Sequence, residues 1–427
     1  MLDHRLQALP LVLALLPCAA RAATDDAEAG LPSKAAVAAA LDAHPSVGAA
    51  DARADAARAQ AEVLARGPHE FNLTGSYANR TVNDGISNGR FNEFEALLTR
   101  PLRLPGKAAL DRRIGERGIS YARNMAEDAR HQAALLLAQD WWDWLGAAQE
   151  ARIDAQAAAN YETTLTAVNR RAALRDGSAL EQDQASAALG SARALAVRSA
   201  GREAVARARL SAQFPALALP AAVPDVPPPR LPESGLAQLH DKILGRSHEL
   251  AAAEALAQQA DAQSDRARKE RMGDPTIGLR VFSDKGGMEK GAGVQFTLPF
   301  GGGYRSAEAE EAAAQASAAL ADLQAVRLNI TETASTDLAE AEATYSAWQR
   351  SRTALDAQVA ALQKTRRGQQ LGEIGLSEVL LAERLVHEAF RSEVVARTDA
   401  QRAITRIRID SHQLWIGDEA DEAVPRP

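Results

Sequence analysis

Two stretches decide how this chain reads: Pro101-Leu102-Arg103-Leu104-Pro105-Gly106-Lys107 and Pro299-Phe300-Gly301-Gly302-Gly303-Tyr304-Arg305. Each closes a short run of alternating apolar and polar residues, and each opens a very long alanine-rich run. Pro101 and Pro299 are 198 positions apart, and Arg170-Arg171 recurs as Arg366-Arg367 at an offset of 196. A near-constant offset over such a span points to duplication of a whole structural unit.

The alternating runs come in pairs. Phe71, Leu73, Gly75 and Tyr77 fall on one face of the first run, with Asn72, Thr74, Ser76 and Ala78 on the other. On the return run Phe94, Ala96, Leu98, Arg100 and Leu102 share a face, opposite Glu93, Glu95, Leu97 and Thr99. Asn83-Asp84-Gly85 and Ser87-Asn88-Gly89 are turn material between them. The second copy behaves alike: Ile277, Leu279 and Val281 alternate with Thr276, Gly278 and Arg280, and Val294, Phe296 and Leu298 with Gly293, Gln295 and Thr297. Hairpins are therefore expected over 71–104 and 276–300. Such alternation suits a half-buried strand of a soluble sheet or a strand of a membrane barrel. No other run in the chain could complete a soluble sheet, which favours the barrel. Four strands cannot close one, since about eight is the usual minimum.

The long runs read as helices. A first helix spans Ser33 to Arg66, with Ser33 as N-cap and a break at His44 before Pro45. From Ala108 to about Arg175 no strong breaker occurs, and about 65 residues of helix reach roughly 100 Å. In the second copy Leu320, Leu323, Ile330, Ala334, Ala341, Tyr345, Trp348, Leu355, Val359 and Leu362 fit a coiled-coil seam. Each long helix turns at a short polar loop, Arg175-Asp176-Gly177-Ser178-Ala179 or Gly372-Glu373-Ile374-Gly375-Leu376-Ser377. The glycines permit left-handed backbone, and Ser178 or Ser377 can cap the returning helix. Returning helices are expected to reach about Gln213 and Leu414. Pro215 to Ser234 holds seven prolines and reads as an extended connector.

The division is thus 1–22, a first repeat over 23–214, a linker over 215–234, a second repeat over 235–417 and a disordered acidic tail over 418–427. Residues 1–22 read as an export signal: Arg5, the apolar run Leu6 to Leu16, and Ala20-Arg21-Ala22 as cleavage site. Pro17 before Cys18, the only cysteine, makes a poor lipoprotein signal. Cleavage after Ala22 would leave no thiol for a disulfide or a metal. It would also remove Asp3, Arg5 and Arg21, taking the net charge from −7 to −8. A general nucleic-acid binder would show a basic surface instead. Aromatic residues are only 4%, which suits slender, closely approaching helices better than a thick core. No later segment is apolar enough for a transmembrane helix, so any membrane crossing must use strands.

Chemistry is hard to find. There is no H-E-x-x-H, paired C-x-x-C or P-loop lysine motif. His44, His69, His131, His240, His248, His387 and His412 are scattered and read as surface histidines. Gly301-Gly302-Gly303 lacks the ending of a phosphate loop and reads as a tight strand-to-helix turn. Trp141, Trp142 and Trp144 point around a helix in different directions and read as packing. No catalytic residue, metal site or cofactor site is expected, and an enzyme reading fails for want of a convergent polar constellation.

The export signal, the duplicated plan, the two polar hairpin tips and the Leu104-Pro105-Gly106-Lys107 junction together resemble the TolC family of outer-membrane efflux channels. The resemblance covers essentially the whole chain after residue 22. It implies a mainly α chain with a small β part, assembling as a homotrimer with a twelve-stranded barrel and an α-helical tunnel into the periplasm. It also implies a periplasmic adaptor and an inner-membrane pump of the RND type, outer-membrane lipid around the barrel, and no catalysis. By position it nominates Gly177, Ser178, Ile374, Gly375, Leu376 and Ser377 as adaptor-contacting tips; Asp176 and Glu373 are expected to line the entrance on their charge and place alone. The Pro-Gly-Lys junction looks like the CzcC-like branch, which implies divalent heavy-metal cations as cargo. A channel for drugs or other small molecules, or a soluble coiled-coil adaptor, are the alternatives.

Overall fold

The computed structural model describes residues 30–83, 85–86 and 88–416. The export segment 1–22 with Cys18, the tail 418–427, and Asp84 and Ser87 of the expected turns lie outside the described residues.

The first helix divides as its proline requires. Ser33 Oγ accepts from Ala36 N at 3.3 Å and opens α1 (Lys34–Asp42). After Ala43 and His44, α2 (Pro45–Arg66) starts with proline at its first position, where the absent N–H has no helical partner to lose. Four strands follow in two pairs: β1 (Asn72–Val82) with β2 (Gly89–Pro101), and β3 (Thr276–Asp284) with β4 (Glu289–Thr297). They form one antiparallel sheet in the order β1-β2-β3-β4. The two hairpins, far apart in sequence, are joined by the β2–β3 ladder.

The register collects the apolar alternation onto one side. Leu73 pairs with Leu98, Leu98 with Leu279, and Leu279 with Val294. One row away run Gly75, Ala96, Val281 and Ala292. This apolar side is bare: Leu73 is 74% exposed, Val294 71% and Phe296 64%. On the polar side of β2, Glu93, Glu95 and Leu97 are half-buried. A sheet packed on a soluble core would show the opposite order.

Six more α-helices lie among the described residues: α3 (Lys107–Ala173), α4 (Ala179–Gln213), α5 (Leu236–Arg246), α6 (His248–Glu270), α7 (Gly303–Gln370) and α8 (Leu376–Asp410). The long helices have 67 and 68 residues and the returning helices 35 each. Near the sheet α2, α3, α6 and α7 lie side by side, in the order of the strands they adjoin. Farther out α4 packs on α3, and α8 packs on both α3 and α7. No helix among the described residues is long and apolar enough to cross a membrane.

The seam of α7 holds at Ile330, Ala334, Ala341, Trp348 and Leu355, all buried. Leu320, expected on it, is 54% exposed. The core thickens at mid-length, where α1 and the connector wrap α3. Trp141, Trp142 and Trp144 are buried there with Leu41, Leu210, Phe214, Val226 and Ile409. Each indole N–H has a partner, Gly30 O at 2.7 Å, Thr405 Oγ1 at 2.9 Å and Glu203 Oε1 at 3.0 Å, so the packing reading of the tryptophans holds. The connector is extended and fastened. Val226 N donates to Gln149 Oε1 at 2.9 Å, while Arg397 and Gln401 donate to the carbonyls of Val226 and Pro227 at 3.0 Å each.

Where helices become strands, one lysine ties the layers. Lys107 is 1% exposed, and its ammonium donates to Met272 O, Asp274 Oδ1 and Glu270 Oε2, each at 2.8 Å. Asp274 also accepts from Leu104 N at 3.0 Å and lies 3.3 Å from His69 Nε2. Arg103 donates to Leu64 O and Ala65 O at the end of α2. The helix-to-strand junctions of the two halves therefore meet in a polar joint. Burial works against the Asp274 charge, but hydrogen bonds from Lys107, Leu104 and His69 outweigh it and hold the carboxyl below the usual carboxylate range. Such a group contributes stability above its unfolded pKa, and the contribution is lost as pH falls through the lower folded value. Lys107→Ala should cost about 3 kcal/mol, the low end for a broken buried pair because Glu270 stays partly solvated. Denaturant melts in detergent should show this loss near neutral pH and a smaller difference from wild type in strong acid.

Candidate functional site

The two hairpin tips are built by one motif at an offset of 197. In the first, Asp176 N donates to Arg171 O at 2.9 Å and Arg175 N to Ala172 O at 3.0 Å. In the second, Glu373 N donates to Gly368 O and Gly372 N to Gln369 O, both at 3.0 Å. These are Schellman endings, which need a left-handed residue just past the helix. Gly372 supplies it with φ 78°, whereas in the first tip the left-handed residue is Arg175 with φ 61°, not Gly177. Gly177 serves a different need: a Cβ there would lie 3.1 Å from Ala172 N. The matched positions are thus Arg171 with Gly368, so the Arg-Arg repeat at 196 is one residue out of structural register.

The caps also differ. Ser178 closes a capping box: Glu181 N donates to its Oγ at 3.2 Å, and its own N–H donates to Glu181 Oε2 at 3.0 Å. Ser377 caps nothing, because α8 starts at Leu376 and Gly375 is the N-cap. Its hydroxyl donates instead to Gln184 Oε1 at 3.0 Å, linking the second hairpin to α4 of the first. Leu376 is buried against Val168 and Ala185, while Ile374 packs back on Gly368. Asp176 and Glu373 occupy equivalent, exposed positions at the outermost turn. The nominated residues therefore come together at one end of the molecule, in two distinct jobs: Leu376 and Ser377 join the hairpins, and Asp176 and Glu373 face solvent.

The histidine reading needs correction. His387 Nε2 lies 2.8 Å from Asp154 Oδ1, and Arg391 Nη1 lies 2.6 Å from Oδ2 of the same fully buried carboxylate. Arg391 also reaches Glu150, to which Arg202 donates, so α3, α4 and α8 share one network. Farther along, His131 Nε2 lies 2.7 Å from Asp410 Oδ1, and its ring meets that of His412 edge-on at 5.5 Å. Asp337, buried beside Asp410, accepts from Arg406 Nε at 2.9 Å. The sequence held a signal for these residues: Asp337 falls between Ala334 and Ala341 on the seam, where an acid must find a partner.

Burial and the facing Asp410 push the Asp337 carboxyl up to about 8. His131 and a hydrogen bond with Asp337 overcome burial and hold Asp410 low. A raised carboxyl binds a proton in the folded state that the unfolded chain has released, so it weakens folding as pH rises from about 4 to about 8. Among the described residues no three His, Cys, Asp or Glu side chains are placed to hold a metal ion.

Residues 239–409 match the family described as Outer membrane efflux protein. No curated protein matches the chain. Solved structures match it along most of its length. A membrane protein from Pseudomonas aeruginosa superposes with a TM-score of 0.75 at 19% identity, over 88% of this chain and 89% of that one. The outer membrane protein VceC from Vibrio cholerae gives 0.74 at 17% identity, over 90% and 96%. The open state of the Neisseria gonorrhoeae MtrE outer membrane channel gives 0.72 at 18%, over 89% of each.

Two substitutions at the tips test the shared motif. Arg175→Gly should be neutral or stabilise by up to about 1 kcal/mol, and Gly372→Ala should destabilise by about 1 kcal/mol, since only the second position already has the residue its backbone prefers. Asp337→Asn should flatten the fall in melting temperature between pH 5 and pH 8; an unchanged slope would place the proton elsewhere. The chain thus has the fold of outer-membrane channels along nearly all of its described length, and from residue 239 to 409 it carries the sequence pattern of the outer membrane efflux proteins.

Proposed function

We propose that this chain is a passive exit duct through the outer membrane, the outermost part of a tripartite efflux system. Members of the matched family are channels and not enzymes. The observation that carries the reading is the bare apolar face of a four-stranded sheet whose outer strands, β1 and β4, each have only one partner strand. An open sheet of this kind is a poor stable end state in water or in lipid. Three copies would close it into twelve strands, apolar side to lipid and polar side to a lumen, with the helices prolonging the lumen into the periplasm. On this reading residues 1–22 direct export, and the repeats 23–214 and 235–417, with the linker 215–234 strapped between them, each supply half of one subunit's wall.

The tips at Gly177, Ser178, Ile374, Gly375, Leu376 and Ser377 would meet a periplasmic adaptor, and an inner-membrane RND-type pump would supply the energy. Asp176 and Glu373 would ring the entrance. Heavy-metal cations are the cargo suggested by the Leu104-Pro105-Gly106-Lys107 junction. The structure gives that lysine a structural task at the joint, so the cargo rests on resemblance alone. A deletion strain newly sensitive to zinc, cobalt or cadmium would support it, and one sensitive only to drugs would replace it with the small-molecule reading.

The tip assignment has a direct test. Asp176→Lys with Glu373→Lys alters only exposed side chains, so assembly in detergent should be unchanged. Efflux in cells should fall at least ~10-fold if several kcal/mol of adaptor contact is lost to like or unpaired charge. Normal efflux from that variant would remove the tips from the docking surface. A purified wild-type chain that stays monomeric and soluble without amphiphile would remove the duct itself.

A further inference from the structure

The polar side of the sheet carries a pattern of matched charge that the duct reading does not require. Arg280 on β3 forms a two-pronged contact with Glu95 on β2, Nε to Oε1 at 2.7 Å and Nη2 to Oε2 at 3.0 Å. The register sets Glu95 opposite Phe282 and Arg280 opposite Leu97, so the pair bridges the two hairpins diagonally on one face. Below the Arg280 guanidinium lies the Phe282 ring, 5.0 Å away at its centroid. That ring in turn covers Gly291 of β4, where a Cβ would come within 2.4 Å of it. The arginine is therefore held from two sides, by a fork of hydrogen bonds and by an aromatic platform.

A second pair repeats the device one strand over. Arg80 Nη2 of β1 lies 2.7 Å from Glu93 Oε1 of β2, again on the polar side. The remaining charges on that side, Asp284 and Glu289, sit at the end of the β3–β4 ladder, where Lys285 contacts Glu289 at 2.6 Å. Across the body of the sheet each acid is thus cancelled by a base on the neighbouring strand, while β4 offers the uncharged Gly291, Gly293, Gln295 and Thr297 there.

We propose that the Glu95–Arg280 pair keeps the membrane section of the pore free of uncompensated charge, so that this section adds no ionic selectivity of its own to that of the acidic entrance. The inference rests on the reading above, in which the polar side lines a lumen. Rings of like-charged side chains are what give a pore preference for one sign of ion. Closure of the sheet by symmetry would repeat the pair around the lumen, and loss of one partner would convert a neutral girdle into such a ring.

The experiment is the reversal potential of the full-length channel in a planar bilayer under a KCl gradient. Arg280→Gln should raise the cation-to-anion permeability ratio several-fold over wild type, and Glu95→Gln should lower it. The charge-swapped chain with Glu95→Arg and Arg280→Glu should return close to wild type, which also controls for folding. Shifts of the same sign in both single variants, or none while conductance persists, would overturn the proposal and leave the duct intact. A wild-type chain that assembles yet conducts no ions would overturn both.

Discussion

Everything in this chain depends on a change of period. Strands repeat every two residues and helices every 3.6, and the backbone passes between them four times at one level of the molecule. A crossing leaves the ends of helices and ladders with unmatched carbonyls and N–H groups. Lys107 and Arg103 meet that need with long cationic side chains aimed at backbone oxygens of α2 and of the turn after α6. Asp274 answers from the other repeat, accepting from both Leu104 N and Lys107. Charge is buried here because it has several partners at once, the condition under which such groups persist.

Away from the joint, the helices are held by small residues and by a few costly ones. Alanine seams let α3 and α7 run about 100 Å with little aromatic content. Small residues alone specify register poorly, since one alanine fits where another does. Asp154 and Asp337 interrupt that uniformity, and each is satisfied only by particular partners on α8: His387 and Arg391, or Arg406 beside Asp410. A slip of one turn would strand them. This ties register to electrostatics in the same helices that carry the tips.

The sheet carries the functional argument because its exposure runs against its chemistry. Leucine, valine and phenylalanine face outward while Glu93 and Glu95 lie half-buried. The alternation at Leu73, Tyr77, Leu279 and Val294 was legible in the residues, and so were the caps at Ser33 and Ser178 and the break at Pro45. Less legible was the joining of the two hairpins through β2 and β3, because residues some 180 positions apart leave no local trace of pairing. The left-handed Arg175 and the hairpin-linking Ser377 were misread for a related reason. Local preference favours glycine and a serine cap; the hydrogen bonds that close the end of α3 hold Arg175 left-handed, and a tertiary contact with Gln184 takes the Ser377 hydroxyl.

Period, length and duplication were determined by the sequence itself, because they are written in residue spacing and need no neighbour. From them follow two strand pairs and two helical hairpins. Which histidines meet buried carboxylates, which acid faces another acid, where Lys107 finds three acceptors and how Glu95 meets Arg280 were decided only in three dimensions. Each of those depends on a partner brought close by packing, and a side chain's charge, burial and role are properties of its surroundings rather than of its place in the chain.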